Sequence, residues 1–102
     1  MADLPIVCTL QPGDLNARAA ELLLGIAALA LGRSSMENGL RLELPATDEA
    51  LSAAIAMIRQ ERRCCRFLRF QLTVEPHGGP VTLEMTGPPG TATFLAGLVD
   101  AA

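Results

Sequence analysis

Lysine, tryptophan and tyrosine are missing from this chain, and its aromatic residues amount to three phenylalanines. So few rings cannot build a base-stacking platform for single-stranded nucleic acid. The cationic residues are eight arginines, outnumbered by eleven acidic residues, and the formal charge of −3 argues further against nucleic acid as a partner. Long apolar runs are lacking too. The longest, Leu22 to Leu31, is ten residues between Glu21 and Arg33, too short to span a bilayer. The N-terminal Met1-Ala-Asp-Leu-Pro5 has no basic region and no leading apolar stretch, so no signal peptide is expected. Three cysteines are an odd count, which excludes a fully paired disulfide framework within one molecule. The expectation is a soluble cytoplasmic protein with free thiols and no membrane contact.

What is present suffices for one small core. The 102 residues are 50% apolar and 19% charged, which fits a single domain over 1–102 with 1–5 as an N-terminal tail. Ile6 to Leu10 reads as a strand with Ile6, Cys8 and Leu10 on one face. Asp14 then caps a helix over roughly 15–32, ended by Gly32. Its apolar stripe, Leu15, Ala19, Leu22, Ile26 and Leu29, is widened by Leu23, Leu24 and Ala27, so more than one side is buried. A homodimer contact is one way to cover such a helix. Ser34 to Gly39 reads as a polar turn.

Leu40, Leu42 and Leu44 alternate with Arg41 and Glu43 in a half-buried strand stopped by Pro45. Thr47 caps a second helix whose inner stripe, or its edge, takes Leu51, Ala54, Ile55, Ile58, Arg62 and Cys65. Leu68 to Glu75 and Val81 to Thr86 alternate as a hairpin around Pro76-His-Gly-Gly-Pro80, and a short helix closes the chain. The predicted fold is α+β: a two-layer βαβαββα sandwich, a four-stranded, mostly antiparallel sheet with helices on one face.

The sharpest chemical feature is the adjacent pair Cys64-Cys65 at the end of the second helix. Two neighbouring thiolates can grip one soft ion, and by phase Cys8 can join them from the first strand. Three sulfurs without a fourth ligand suit Hg(II), As(III) or Cu(I); zinc prefers four ligands. His77, the one imidazole, could complete a zinc set only if the hairpin loop folded back, and an exposed loop residue is the simpler reading. Buried cysteines also serve as ordinary core filler. Glu61 stands three and four residues before the pair, so its carboxylate shares their face. It either forms an ordinary salt bridge to an arginine or serves the thiols as proton donor, ligand or orienter of Arg62. Five arginines between Arg59 and Arg69 either favour thiolate, bind an anion, or complement the helix dipole.

Cys8-Thr-Leu10, Glu61-Arg-Arg-Cys-Cys-Arg-Phe67-Leu-Arg-Phe70, Leu72-Thr-Val-Glu-Pro-His-Gly-Gly-Pro80 and Thr86-Gly-Pro88 together resemble a small, largely uncharacterised bacterial family. Its members carry an early C-T-L and an E-x-x-C-C-x-F-x-x-F core and are associated with mercury-type and other soft-metal resistance. The likeness runs from about residue 6 to residue 99. Arg66 stands where relatives often have proline, and the first helix is aliphatic where they often carry an aromatic. The resemblance implies a soft-metal context. With the adjacent pair and the in-phase Cys8, the leading expectation is a soft-metal or metalloid-binding protein of detoxification or sensing, with Cys64, Cys65 and Cys8 as metal ligands. The alternatives are a thiol-dependent enzyme, in which Cys64, Cys65 and Glu61 cleave an organometal or exchange redox equivalents, and a non-catalytic dimerisation module.

Overall fold

Three rows of side chains lie across the centre of the molecule, and strand register sets all three. Leu40 pairs across Met85 to Phe70, Leu42 across Leu83 to Leu72, and Leu44 across Val81 to Val74. Directly opposite residues share a face, so each row is apolar on one side of the sheet. The computed structural model describes the backbone of residues 14–100 and the side chains from Glu21 on, except those of Cys64, Leu98 and Asp100. The expected strand at Ile6–Leu10, and Cys8 within it, lie outside the described residues.

The described elements are α1 (Asp14–Leu29), β1 (Gly32–Met36), β2 (Gly39–Leu44), α2 (Asp48–Cys64), β3 (Arg69–Val74), β4 (Val81–Thr86) and α3 (Thr91–Asp100). The strands form one antiparallel sheet in the order β1-β2-β4-β3, so β4 inserts between β2 and the β3 to which α2 leads. The α+β class and the antiparallel sheet with helices on one face are as predicted, and β2, β3 and β4 are three of the four expected strands; the fourth described strand is β1, not Ile6–Leu10. The element order differs, because Gly32 to Met36 is a strand rather than a helix end and a turn. No hydrophobic alternation marks β1: Gly32, Arg33, Ser34 and Ser35 are all exposed at an edge, and the strand is held by its backbone ladder to β2.

Leu42, Leu83 and Met85 are wholly buried, together with Leu23 and Ile26 of α1, Ala54 and Met57 of α2, and Leu95 of α3. Truncating a leucine at the centre of such a cluster costs about 2–5 kcal/mol. The other face of the sheet is polar, and there Arg41 and Glu84, direct cross-strand partners, form an ion pair at 2.6 Å. Gly39 is required at the β1–β2 turn because any Cβ there would sit on the Met85 carbonyl oxygen.

The α1 stripe is used in part within the chain. α1 packs against both α2 and α3, with Leu23 and Ile26 deepest, while Leu22, Leu24, Ala27 and Leu29 are only half-buried. The N–H of Leu31 donates to the Glu43 carbonyl at 2.6 Å, so α1 ends beside the end of β2, where α2 is about to start. The two helices therefore run antiparallel, and the first turn of α1 lies at the Cys64–Cys65 end of α2. Among the described residues, no helix is long and apolar enough to cross a membrane.

Candidate functional site

The second helix is well marked at both ends. The Thr47 hydroxyl accepts from the Ala50 N–H at 3.1 Å, and Asp48 and Glu49 occupy the positive first turn. At the other end Cys64 is the last helical residue. The Cys65 N–H still donates to the Glu61 carbonyl at 2.6 Å, but its φ of −114° and ψ of 77° have left the helix. The vicinal pair thus straddles the helix terminus. The chain turns through Arg66 and Phe67, closed by a Leu68 N–H to Cys65 carbonyl bond of 3.1 Å, and enters β3.

The inner face of α2 carries Ala50, Ala54, Met57, Glu61 and Cys65, all buried. This is a correction to the stripe expected from sequence. Ile55 is 50% exposed and Arg62 is also outside. Two alanines and a carboxylic acid are weak markers of an apolar face, and the bulkier Ile55 drew the expected phase round toward itself.

Glu61 is the consequence of that phase. It is 3% exposed, so it cannot be the solvated member of an arginine pair. Its carboxyl accepts a hydrogen bond from the Cys65 thiol. Burial disfavours the charged form and pushes its pKa from 4.5 up to about 7; the thiol hydrogen bond pulls the other way with smaller effect. Cys65 itself is 1% exposed, and both it and the buried Phe67 lie apart from the main apolar cluster. Phe67 meets Phe94 of α3 edge to face, with centroids 5.5 Å apart. The structure therefore joins one predicted thiol to the predicted carboxylate in a buried pair one helical turn long. In chemical terms the pair is a thiol beside a base that is part protonated near neutrality.

The other predicted residues stand differently. Among the described residues, no group of three or more His, Cys, Asp or Glu is placed to hold a metal ion. Cys8 and the Cys64 side chain fall outside the description, so the three-sulfur set is untouched by that finding. His77 is exposed at the tip of the β3–β4 hairpin, with the length of β3 between it and Cys65, about 20 Å at the usual strand rise. With φ of 60° it and Gly78 (71°) form the two left-handed positions of a tight turn, closed by a Gly79 N–H to Pro76 carbonyl bond of 3.1 Å. It takes no part at the helix end.

Sequence reasoning gave Glu61 the right neighbours but not its burial. The signal was available in the four-residue step from Glu61 to Cys65 and from Met57 to Glu61, which continues one inner face. Compared with protein-family models, with curated proteins and with solved structures, the chain matches none of them.

Proposed function

We propose that this protein binds a soft metal or metalloid ion through the Cys64–Cys65 pair, with Cys8 as a third sulfur and Glu61 as the group that takes up the proton the metal displaces. The observation that carries the reading is the Cys65 thiol donating to a buried carboxyl whose pKa lies near 7. A thiol must lose its proton to ligate, and a buried site tolerates little net charge. Here the two requirements meet. The proton passes from sulfur to the Glu61 carboxylate, whose neutral form burial favours, while the ion neutralises the thiolates. Thiolate sulfur selects soft ions such as Hg(II), Cu(I) and As(III). Cys8 precedes α1, and α1 begins at the same end of the helical layer as the pair.

Native mass spectrometry of the reduced chain with Hg(II) or As(III) tests the reading. One ion per chain is expected, lost in the Cys64→Ser, Cys65→Ser double variant; equal binding by that variant overturns it. Glu61→Gln should keep binding but release about half a proton more to solvent per ion bound at pH 7, where the parent carboxyl is already half protonated before the ion arrives.

The neutral-range carboxyl also favours a second reading, proton delivery to a carbon–metal bond held by the same thiolates. In that case Glu61 gives its proton to the departing carbon and the metal stays on sulfur. Release of the hydrocarbon from an alkylmercury compound over many turnovers, with excess free small-molecule thiol present to draw the Hg(II) off the site after each one, separates this enzyme from a stoichiometric binder.

A further inference from the structure

The negative balance of the chain is not evenly spread. Arg59, Arg62 and Arg63 share a groove of about 410 Å³ on the outer side of α2 with Gln60, over Leu22 of α1 and Ala56. Among the described residues no carboxylate lines it. Arg62 and Arg63 stand in the last turn of α2, where cations complement the helix dipole. Arg59 stands a turn earlier, where that effect has faded, and there it stacks its charge on that of Arg62 at a spacing of three residues. Like charges so placed repel. A structural role alone therefore explains two of these residues and works against the third.

The shape narrows the ligand. The groove is of the size of a small-molecule site, roughly 300–1,000 Å³, and its lining is mainly polar, with Leu22 and Ala56 as its apolar members. Guanidinium groups present paired N–H donors that match an oxyanion in two-point contact. A long polyanion is opposed by the chain's charge of −3 and by the shortage of aromatic residues. We propose that the groove between α1 and α2 binds a small, multiply charged oxyanion of the polyphosphate or phosphate-ester class. Arg59 and Arg62 make the principal contacts, and Gln60 donates from the rim. The site is separate from the Cys65–Glu61 pair, which faces the opposite side of α2, so either proposal can fail without the other.

Calorimetric titration of the whole chain with sodium tripolyphosphate at constant ionic strength tests it. Saturable one-to-one binding with Kd below about 1 mM is expected, weakened at least about tenfold in R59Q/R62Q. Retention of affinity by R59K/R62K above that of the glutamine variant separates anion contact from loss of fold. No saturable heat with the parent chain overturns the proposal, and so does unchanged affinity in a folded R59Q/R62Q. A single-stranded oligonucleotide that binds more tightly than tripolyphosphate, through the same two arginines, also overturns it in favour of a nucleic-acid surface. If the far-UV circular dichroism shows the double variant unfolded, the single R59Q, exposed and a turn inside the helix end, gives the same reading with a smaller loss.

Discussion

Replacing Glu61 by glutamine should change how stability responds to pH far more than it changes stability at any one pH. In the folded chain the Glu61 carboxyl titrates near 7, against a usual value of 4.5. Between those values the native state holds a proton that the unfolded chain has lost. Stability from this group is therefore complete below about pH 4.5 and drains away as pH rises through 7. At 1.36 kcal/mol per pKa unit the whole effect is about 3 kcal/mol, of which about 2–3 kcal/mol falls between pH 5 and 8. With a urea m-value of about 1–3 kcal/mol/M, the parent midpoint should drop by roughly 1–2 M over that range. Glutamine has the same shape and still offers an oxygen to the Cys65 thiol, but it does not ionise. Glu61→Gln should hold a nearly level midpoint, and subtracting the two curves removes every other titrating group. Urea melts of the reduced, metal-free protein at half-unit pH steps would read this directly. Parallel curves for the two proteins would refute the claim that burial controls this carboxyl.

Two further outcomes follow from the same geometry. Cys65→Ala removes a hydrogen bond that favours the charged carboxylate, so the pH at which stability falls should move above that of the parent, whereas Cys65→Ser, which keeps a donor, should move it less; the two midpoints, taken from urea melts against pH, check it. His77 occupies a left-handed backbone position (φ 60°), which asparagine adopts at lower cost, so His77→Asn should raise the urea midpoint by about 0.5 kcal/mol equivalent without changing the slope, and should leave Hg(II) binding untouched.

How far the sequence discloses the fold depends on whether burial has a hydrophobic signature. β2, the β3–β4 hairpin and α3 alternate or repeat cleanly, and they lie where the period predicts. β1 is invisible to the same reasoning because neither of its faces needs to be apolar; its place is fixed by pairing Gly32 with Glu43 and Met36 with Gly39. α2 is found but rotated, since its inner face is marked by alanine, methionine, a carboxylic acid and a thiol, while a stronger hydrophobe, Ile55, points out. The site was legible as a list of residues, Glu61 with Cys65, and not as an environment. Burial of an acid is a property of the packed molecule, and the local pattern of charges, with arginine on either side of Cys64-Cys65, argued for the surface.

The burial of Glu61 is itself an argument about purpose. An interior position on α2, between Met57 and Cys65, accommodates a methionine or leucine at no cost in charge, and such a residue would add apolar contact. A carboxyl there weakens the protein at neutral pH by an amount comparable to a sizeable part of a small domain's net stability, about 5–15 kcal/mol. Among the described residues its partner is a thiol, a weak donor whose effect on the carboxyl is smaller than that of burial. Chains depart from the stabler choice chiefly where a group has work to do. A proton acceptor held against a sulfur, at the point where the helix backbone lets go between Cys64 and Cys65, has an evident use when that sulfur must exchange its proton for an ion. Were Cys65 only core filler, the acid beside it would have no such use, and among the described residues its cost to the fold would stand without an offset.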